Sequence, residues 1–146
     1  MIELKEYCTQ TRSYFTLYGE DFPLEEFTEA IGISPTKAHR LGEEYIRRET
    51  KRKHFETVWH LGIDYVYTDH PQEVIETLVA KLHNSVDTIN SYKERYKLEC
   101  KLVAVINFKT AQTRGLLISP KLVEFANKVG ASFEFDIYNE SGEHSF

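Results

Sequence analysis

Three groups of side chains have types and spacings that could do chemistry. Glu20 and Asp21 follow an aromatic segment, with Glu25, Glu26 and Glu29 close behind and no Lys or Arg among them. Paired carboxylates serve as general acid and base, or hold a hard cation. The plainer reading is that Asp21 caps a helix whose dipole Glu25 and Glu26 complement. In the second group, Glu56, His60 and Asp64 recur every fourth residue. On a strand they share one face about 13 Å apart, too far to ligate one metal between themselves. A hairpin centred near Glu49 and Thr50 would set His39 opposite His60, and two imidazoles on one exposed face can bind a transition metal or titrate as a pair. Without a third fixed ligand, no metal site and no cofactor is expected.

The third group is Arg47, Arg48, Lys51, Arg52 and Lys53, interrupted by Glu49 and Thr50 and followed by His54. Such a run can bind phosphates by releasing counterions, or form a solvated hairpin tip whose charges prevent edge pairing. No aromatic residue lies within residues 47–54 to stack on bases, and the chain is acidic overall, so nucleic acid is disfavoured as a partner. An acidic protein fits as well. Lys109 and Arg114 flank a further loop that could hold an anion or carry ordinary loop charge.

Nucleophilic catalysis has little to stand on. Cys8 has no neighbouring His or helix start to lower its pKa, Cys100 opens an apolar strand, and no nucleophile elbow or P-loop occurs. Lying 92 positions apart, the two cysteines match no zinc spacing and read as reduced thiols.

The elements that must position these groups follow from periodicity. Ser13 to Tyr18 reads as a strand ending at Gly19. Leu24, Phe27 and Ile31 define a short helix started by Pro23 and stopped by Gly32. Lys37 to Gly42 reads as a weaker strand. Phe55, Thr57, Trp59, Leu61 and Ile63 alternate with Glu56, Val58, His60, Gly62 and Asp64 as a half-buried one, with Trp59, the sole tryptophan, on its apolar face. These two strands and the basic loop form one long hairpin. Val74, Leu78, Leu82, Val86 and Ile89 then describe one long helix, with a cap expected from Asp69. Leu98 to Lys109 is apolar on both faces and reads as a central strand. Ser119 and Pro120 cap a third helix stopped by Gly130, and Ala131 to Tyr138 alternates as the last strand.

The order β-α-β-β-α-β-α-β gives an α+β fold: a mainly antiparallel sheet of about five strands with helices on one face. A doubly wound parallel sheet fits poorly, because strands with one polar face imply solvent exposure. With 146 residues the chain is one domain's worth, core 13–138, with a polar leader over residues 1–12 and a polar tail after residue 138. No apolar stretch has the length of a signal peptide or membrane span, so a cytoplasmic protein is expected. The net charge of −5 is polarised. Residues 47–54 carry +4, and the rest of the chain carries −9.

Five short motifs in order carry a resemblance. They are Gly19-Glu20-Asp21, Ile33-Ser34-Pro35-Thr36-Lys37, Leu41-Gly42-Glu43, Trp59-His60-Leu61, and Phe125-Ala126-Asn127-Lys128-Val129-Gly130-Ala131 running on to Phe135-Asp136-Ile137-Tyr138. Together they resemble the bacterial DUF4279 family of uncharacterised proteins over residues 13–138. The resemblance implies a single α+β domain in a bacterial cytoplasm and no assigned catalytic residues.

The function expected is therefore a non-enzymatic binding or protein-interaction module, with a protein partner or self-association as a homodimer. A toxin-blocking immunity protein is one form of it. The alternatives are a small-molecule enzyme or sensor with Glu20, Asp21, Arg40 and His60 around a pocket at the sheet end, and nucleic-acid binding through the basic loop. The candidate binding residues are Glu20, Asp21, His39, Arg40, Trp59 and His60, beside the basic loop.

Overall fold

The first strand, β1 (Gln10–Gly19), is rich in aromatic and β-branched residues and pairs on both sides. A computed structural model describes residues 9–109 and 115–139 of the chain. Strand β1 starts three residues earlier than the pattern suggests, because Gln10, Thr11 and Arg12 continue its pairing with the neighbouring strand. The polar side chains there hide a strand that pairs with β6 (Glu99–Phe108) from Gln10 to Tyr18, with a bulge at Arg12 on the side of β5 (Thr57–Tyr67). Cys8, Arg114 and residues 140–146 lie outside the described residues.

The remaining elements are α1 (Leu24–Ile31), β2 (Lys37–His39), β3 (Glu44–Arg47), β4 (Thr50–Lys53), β5 (Thr57–Tyr67), α2 (Gln72–Leu82), α3 (Val86–Tyr96), β6 (Glu99–Phe108), α4 (Pro120–Val129) and β7 (Ser132–Asn139). Five strands form one sheet in the order β2-β5-β1-β6-β7, and β3 and β4 form a second sheet of two strands. The fold is α+β. The large sheet is mixed: β2, β5, β1 and β6 run antiparallel, while β7 joins β6 in parallel.

Alternation sorts the strand residues onto two faces. Phe15, Leu17, Trp59, Leu61, Cys100, Leu102, Ala104 and Ile106 form one cluster with Phe27 of α1, Leu78 and Leu82 of α2, Ile89 of α3, and Leu122 and Phe125 of α4. All four helices therefore cover the same face. On the other face, no described helix packs over Tyr14, Thr16, His60 and Lys101. Strand β6 keeps Val103 and Val105 buried even there, as its two apolar faces imply.

Several expectations need correction. The long helix is two helices, because His83-Asn84-Ser85 form a 3₁₀ turn between α2 and α3. These polar residues are weak helix formers, and His83 Nδ1 lies 2.9 Å from the Ala80 carbonyl oxygen. The bend lets α2 pack on β1 while α3 packs on α1 and α4. Asp21 does not cap α1, since Pro23 holds the N-cap position and its carbonyl accepts the Phe27 N–H at 3.0 Å. Pro71 likewise takes the place expected of Asp69 at α2. At α4, Ser119 is the N-cap residue, but its carbonyl and not its hydroxyl accepts from Leu122 and Val123. The weak strand ends at His39, three residues short of Gly42.

Candidate site at the root of the basic hairpin arm

The basic run is not an irregular tip. Glu44 pairs with Lys53, Tyr45 with Arg52, Ile46 with Lys51 and Arg47 with Thr50, so residues 44–53 form a ribbon that turns at Arg48 and Glu49. Both turn residues have positive φ, 50° and 64°, as a two-residue type I′ hairpin turn requires. Where β2 meets β5, Lys37 pairs with His60, Ala38 with Trp59 and His39 with Val58. Both pairings share one register, so β3 and β4 continue the β2–β5 hairpin beyond the edge of the large sheet as an arm.

That register corrects the expected pairing of histidines. The hairpin is centred between Arg48 and Glu49, one residue earlier than assumed, so His60 faces Lys37 and not His39. His39 instead stacks on His54, ring centroids 3.5 Å apart and 12° from parallel. Tyr45 stacks on His54 in turn at 4.2 Å and 22°. Three rings thus fasten the arm where it leaves the sheet.

Backbone bonds reinforce this root. Gly42 N–H donates to His54 C=O at 2.8 Å and His54 N–H to Glu43 C=O at 2.9 Å. Gly42 has φ of 84°, a conformation that costs a side-chain-bearing residue strain. The Arg40 N–H donates to Glu43 Oε2 at 2.8 Å, and the Arg40 guanidinium donates to the Glu25 carboxylate on α1. That bond holds the Glu25 carboxyl below its ordinary pKa. Burial, and then the neighbouring His54, push the His39 pKa down, so the stack favours a neutral imidazole.

Between α1 and β2 lies a cleft of about 370 Å³, with Leu24, Pro35 and Ala38 as apolar lining and Glu25, Glu29 and Glu43 as its acids. Asp21 is exposed and near enough to add attraction for Arg40. Glu20 is exposed as well, and its backbone carbonyl accepts the Thr57 hydroxyl at 3.0 Å. Asp21, His39 and Arg40 therefore belong to one neighbourhood at the arm's root.

Two candidates stand apart. Trp59 is fully buried on the helix side, donating its indole N–H to Thr28 Oγ1 at 3.0 Å and meeting Phe27 edge-on at 5.0 Å. It is a core residue and presents no ligand surface. His60 lies on the face without helices, 3.2 Å from Thr16 Oγ1 and under the Tyr14 ring at 4.4 Å. Burial, followed by Lys37 and Arg12, pushes its pKa down to about 4. Gly62 makes room for this pair, because a Cβ there would stand 3.3 Å from His60 Nε2 and 3.4 Å from Tyr14 Cβ. The pocket expected from Glu20, Asp21, Arg40 and His60 is not assembled around one space.

Chemically, the root offers stacked rings, ion pairs and an acidic cleft. Among the described residues, no group of three His, Cys, Asp or Glu side chains is placed to hold a metal ion. Cys100 is buried, and burial raises its thiol pKa. A larger groove of about 830 Å³ lies between α2 and α4, beside the 3₁₀ turn, and none of the candidate residues lines it. Sequence reasoning missed Tyr45, His54 and Glu43. The available signal was the pairing of a ring residue on each limb of the basic run, legible only once the turn is centred correctly.

Residues 9–140 match the family described as Domain of unknown function (DUF4279). The chain belongs to the DUF4279 family. No curated protein and no solved structure matches it. Family membership agrees with the resemblance carried by the five motifs, of which Leu41-Gly42-Glu43 forms the root of the arm. Among the described residues of this DUF4279 chain, no helix is long and apolar enough to cross a membrane.

Proposed function

We propose that this DUF4279 protein is a non-enzymatic binding module of the bacterial cytoplasm, and that its arm engages an acidic protein partner. The observation that carries the reading is the arm itself, a ribbon outside the main sheet with no buried residue in β3 or β4. On one face of the ribbon Lys51 and Lys53 stand beside Ile46, 77% exposed, Arg47 and Arg52 project from the other face, and Phe55 at the base is 83% exposed. Exposed apolar groups on a mainly basic ribbon are the composition of a docking element, in which the apolar groups hold and the charges steer. The anchored root supports the same reading, because a pre-positioned ribbon loses less freedom on binding than a slack loop.

The test is a titration of the protein with a fluorescent Asp- and Glu-rich peptide carrying two Leu residues, and with a single-stranded oligonucleotide of equal charge. The expected result is peptide binding that weakens as salt rises and is lost in the variant Arg47→Ser/Arg52→Ser. Tighter binding of the oligonucleotide would replace the reading with nucleic-acid recognition. Peptide binding unchanged by the double substitution would refute the arm's role.

A further inference from the structure

We propose that the acidic partner of the arm is a second copy of this chain, each arm lying along the α1 surface of the other. This rests on the reading of the arm as a docking element and names its partner. The acidic surface is specific. Glu20, Asp21, Glu25, Glu26 and Glu29 are all exposed, on α1 or in the turn that leads into it. Glu25 is held by Arg40 and Glu26 lies 4.0 Å from Arg95, whereas Glu20, Asp21 and Glu29 form no ion pair among the described residues. Beside them runs the α1–β2 cleft, whose apolar lining of Leu24, Pro35 and Ala38 can accept an apolar side chain between Glu29 on one side and the Arg40–Glu25 pair on the other.

The arm is the complement of that surface. Lys51 is paired with Glu44 at 2.9 Å, while Arg47, Arg48, Arg52 and Lys53 form no ion pair among the described residues. Ile46 offers the apolar group on the face it shares with Lys51 and Lys53, while Arg47 and Arg52 present the opposite face. Within one chain the two charge sets do not meet: no ion pair joins the arm to α1 among the described residues. Each chain thus carries four arm cations, and three acids on or before α1, that form no ion pair among the described residues.

Their placement favours closure by two copies. His39, Arg40 and Glu43 line the cleft, and Glu44 begins the arm, so donor and acceptor surfaces adjoin at one root. When complementary patches are neighbours, a two-fold axis near their boundary sets arm on cleft twice in one interface. Distant patches would build an open chain of copies instead. The interface would also cover Leu41, Ile46 and Phe55, three of the large exposed apolar side chains.

The experiment is sedimentation velocity of the full chain at about 50 mM and about 500 mM NaCl. It compares wild type with an arm reversal (Arg47→Glu/Arg52→Glu), an acid reversal (Asp21→Lys/Glu29→Lys), and an equimolar mixture of the two variants. The expected result is a wild-type dimer at low salt whose dissociation constant rises at least about tenfold at high salt. Each variant alone dissociates at least as readily as wild type at high salt. The mixture dimerises again, because each reversed surface meets its reversed complement. Wild type that stays monomeric, a dimer indifferent to both reversals, or a mixture that fails to associate overturns the proposal. If wild type is monomeric yet the acidic peptide still binds the arm, self-recognition alone falls. If neither occurs, the docking reading falls with it.

Discussion

Residues 37–39 and 58–60 share one hairpin register with residues 44–53, yet the two ends of that hairpin live in different environments. At the sheet end, Thr57 and Trp59 are fully buried, with four helices beneath their face. At the arm end, no residue of β3 or β4 is buried. Backbone pairing is the same in both, so pairing alone does not decide stability. Burial does: apolar area removed from water is the main favourable term in folding, and the arm removes almost none. The body is fixed by its core, and the arm is held by its root.

The largest effect that sharpens this contrast is expected at Trp59. Trp59→Ala opens a cavity against Phe15 and Phe27 and orphans the Thr28 contact, and should cost about 3–5 kcal/mol in chemical denaturation. Ile46→Ala, at the arm, should stay within about 0.5 kcal/mol. A comparable loss at both positions would break the distinction between body and arm.

Next is the response to acid. The folded-state pKa of His60 is about 4, below the ordinary 6.5, so the unfolded chain takes up the proton first. Stability contributed by neutral His60 is complete above about pH 6.5 and is lost as the pH falls toward about 4. The ring is partly exposed, so screening limits the effect to the order of 1 kcal/mol. Denaturation at pH 7 and pH 4.5 checks it: His60→Gln should remove that part of the slope, and an unchanged slope would place the titration elsewhere.

At the root, His54→Ala removes the ring that stacks on His39 and its like charge. The His39 pKa should rise toward 6.5, read from its ring protons by NMR, with global stability changed by less than about 1 kcal/mol. A global loss well above that would show the root to be part of the core. The smallest effect concerns the turn. Glu49→Gly relieves a positive φ and should stabilise the ribbon by about 1 kcal/mol, seen in slower exchange of the Arg47 and Thr50 amides, with no shift in the unfolding midpoint.

Much of the body was legible in the residues. The alternation through Trp59 and Leu61, the double-sided run at Leu102 to Phe108 and the glycine stops at Gly32 and Gly130 follow from rules that act within a few residues. Two things were not. The break at His83–Ser85 falls on weak helix formers, but the apolar spacing runs through it undisturbed and hides it. The root depends on the centre of a hairpin whose turn, Arg48-Glu49, lacks the Gly or Asn that marks a type I′ turn. One residue of error there moved His39 from its stack on His54 to a false pairing with His60. The charge of the run hid its geometry.

The central claim is that the arm is a binding element energetically separate from the body. Residue-resolved hydrogen exchange, on the chain alone and with the acidic peptide, tests it most directly. In the free chain, amides of β1 and β6 should exchange only through global unfolding, while those of β3 and β4 exchange through local opening. With peptide present, protection should rise most in β3 and β4. Equal protection of arm and body in the free chain, or a peptide response centred on His60 and the open sheet face, would contradict the account.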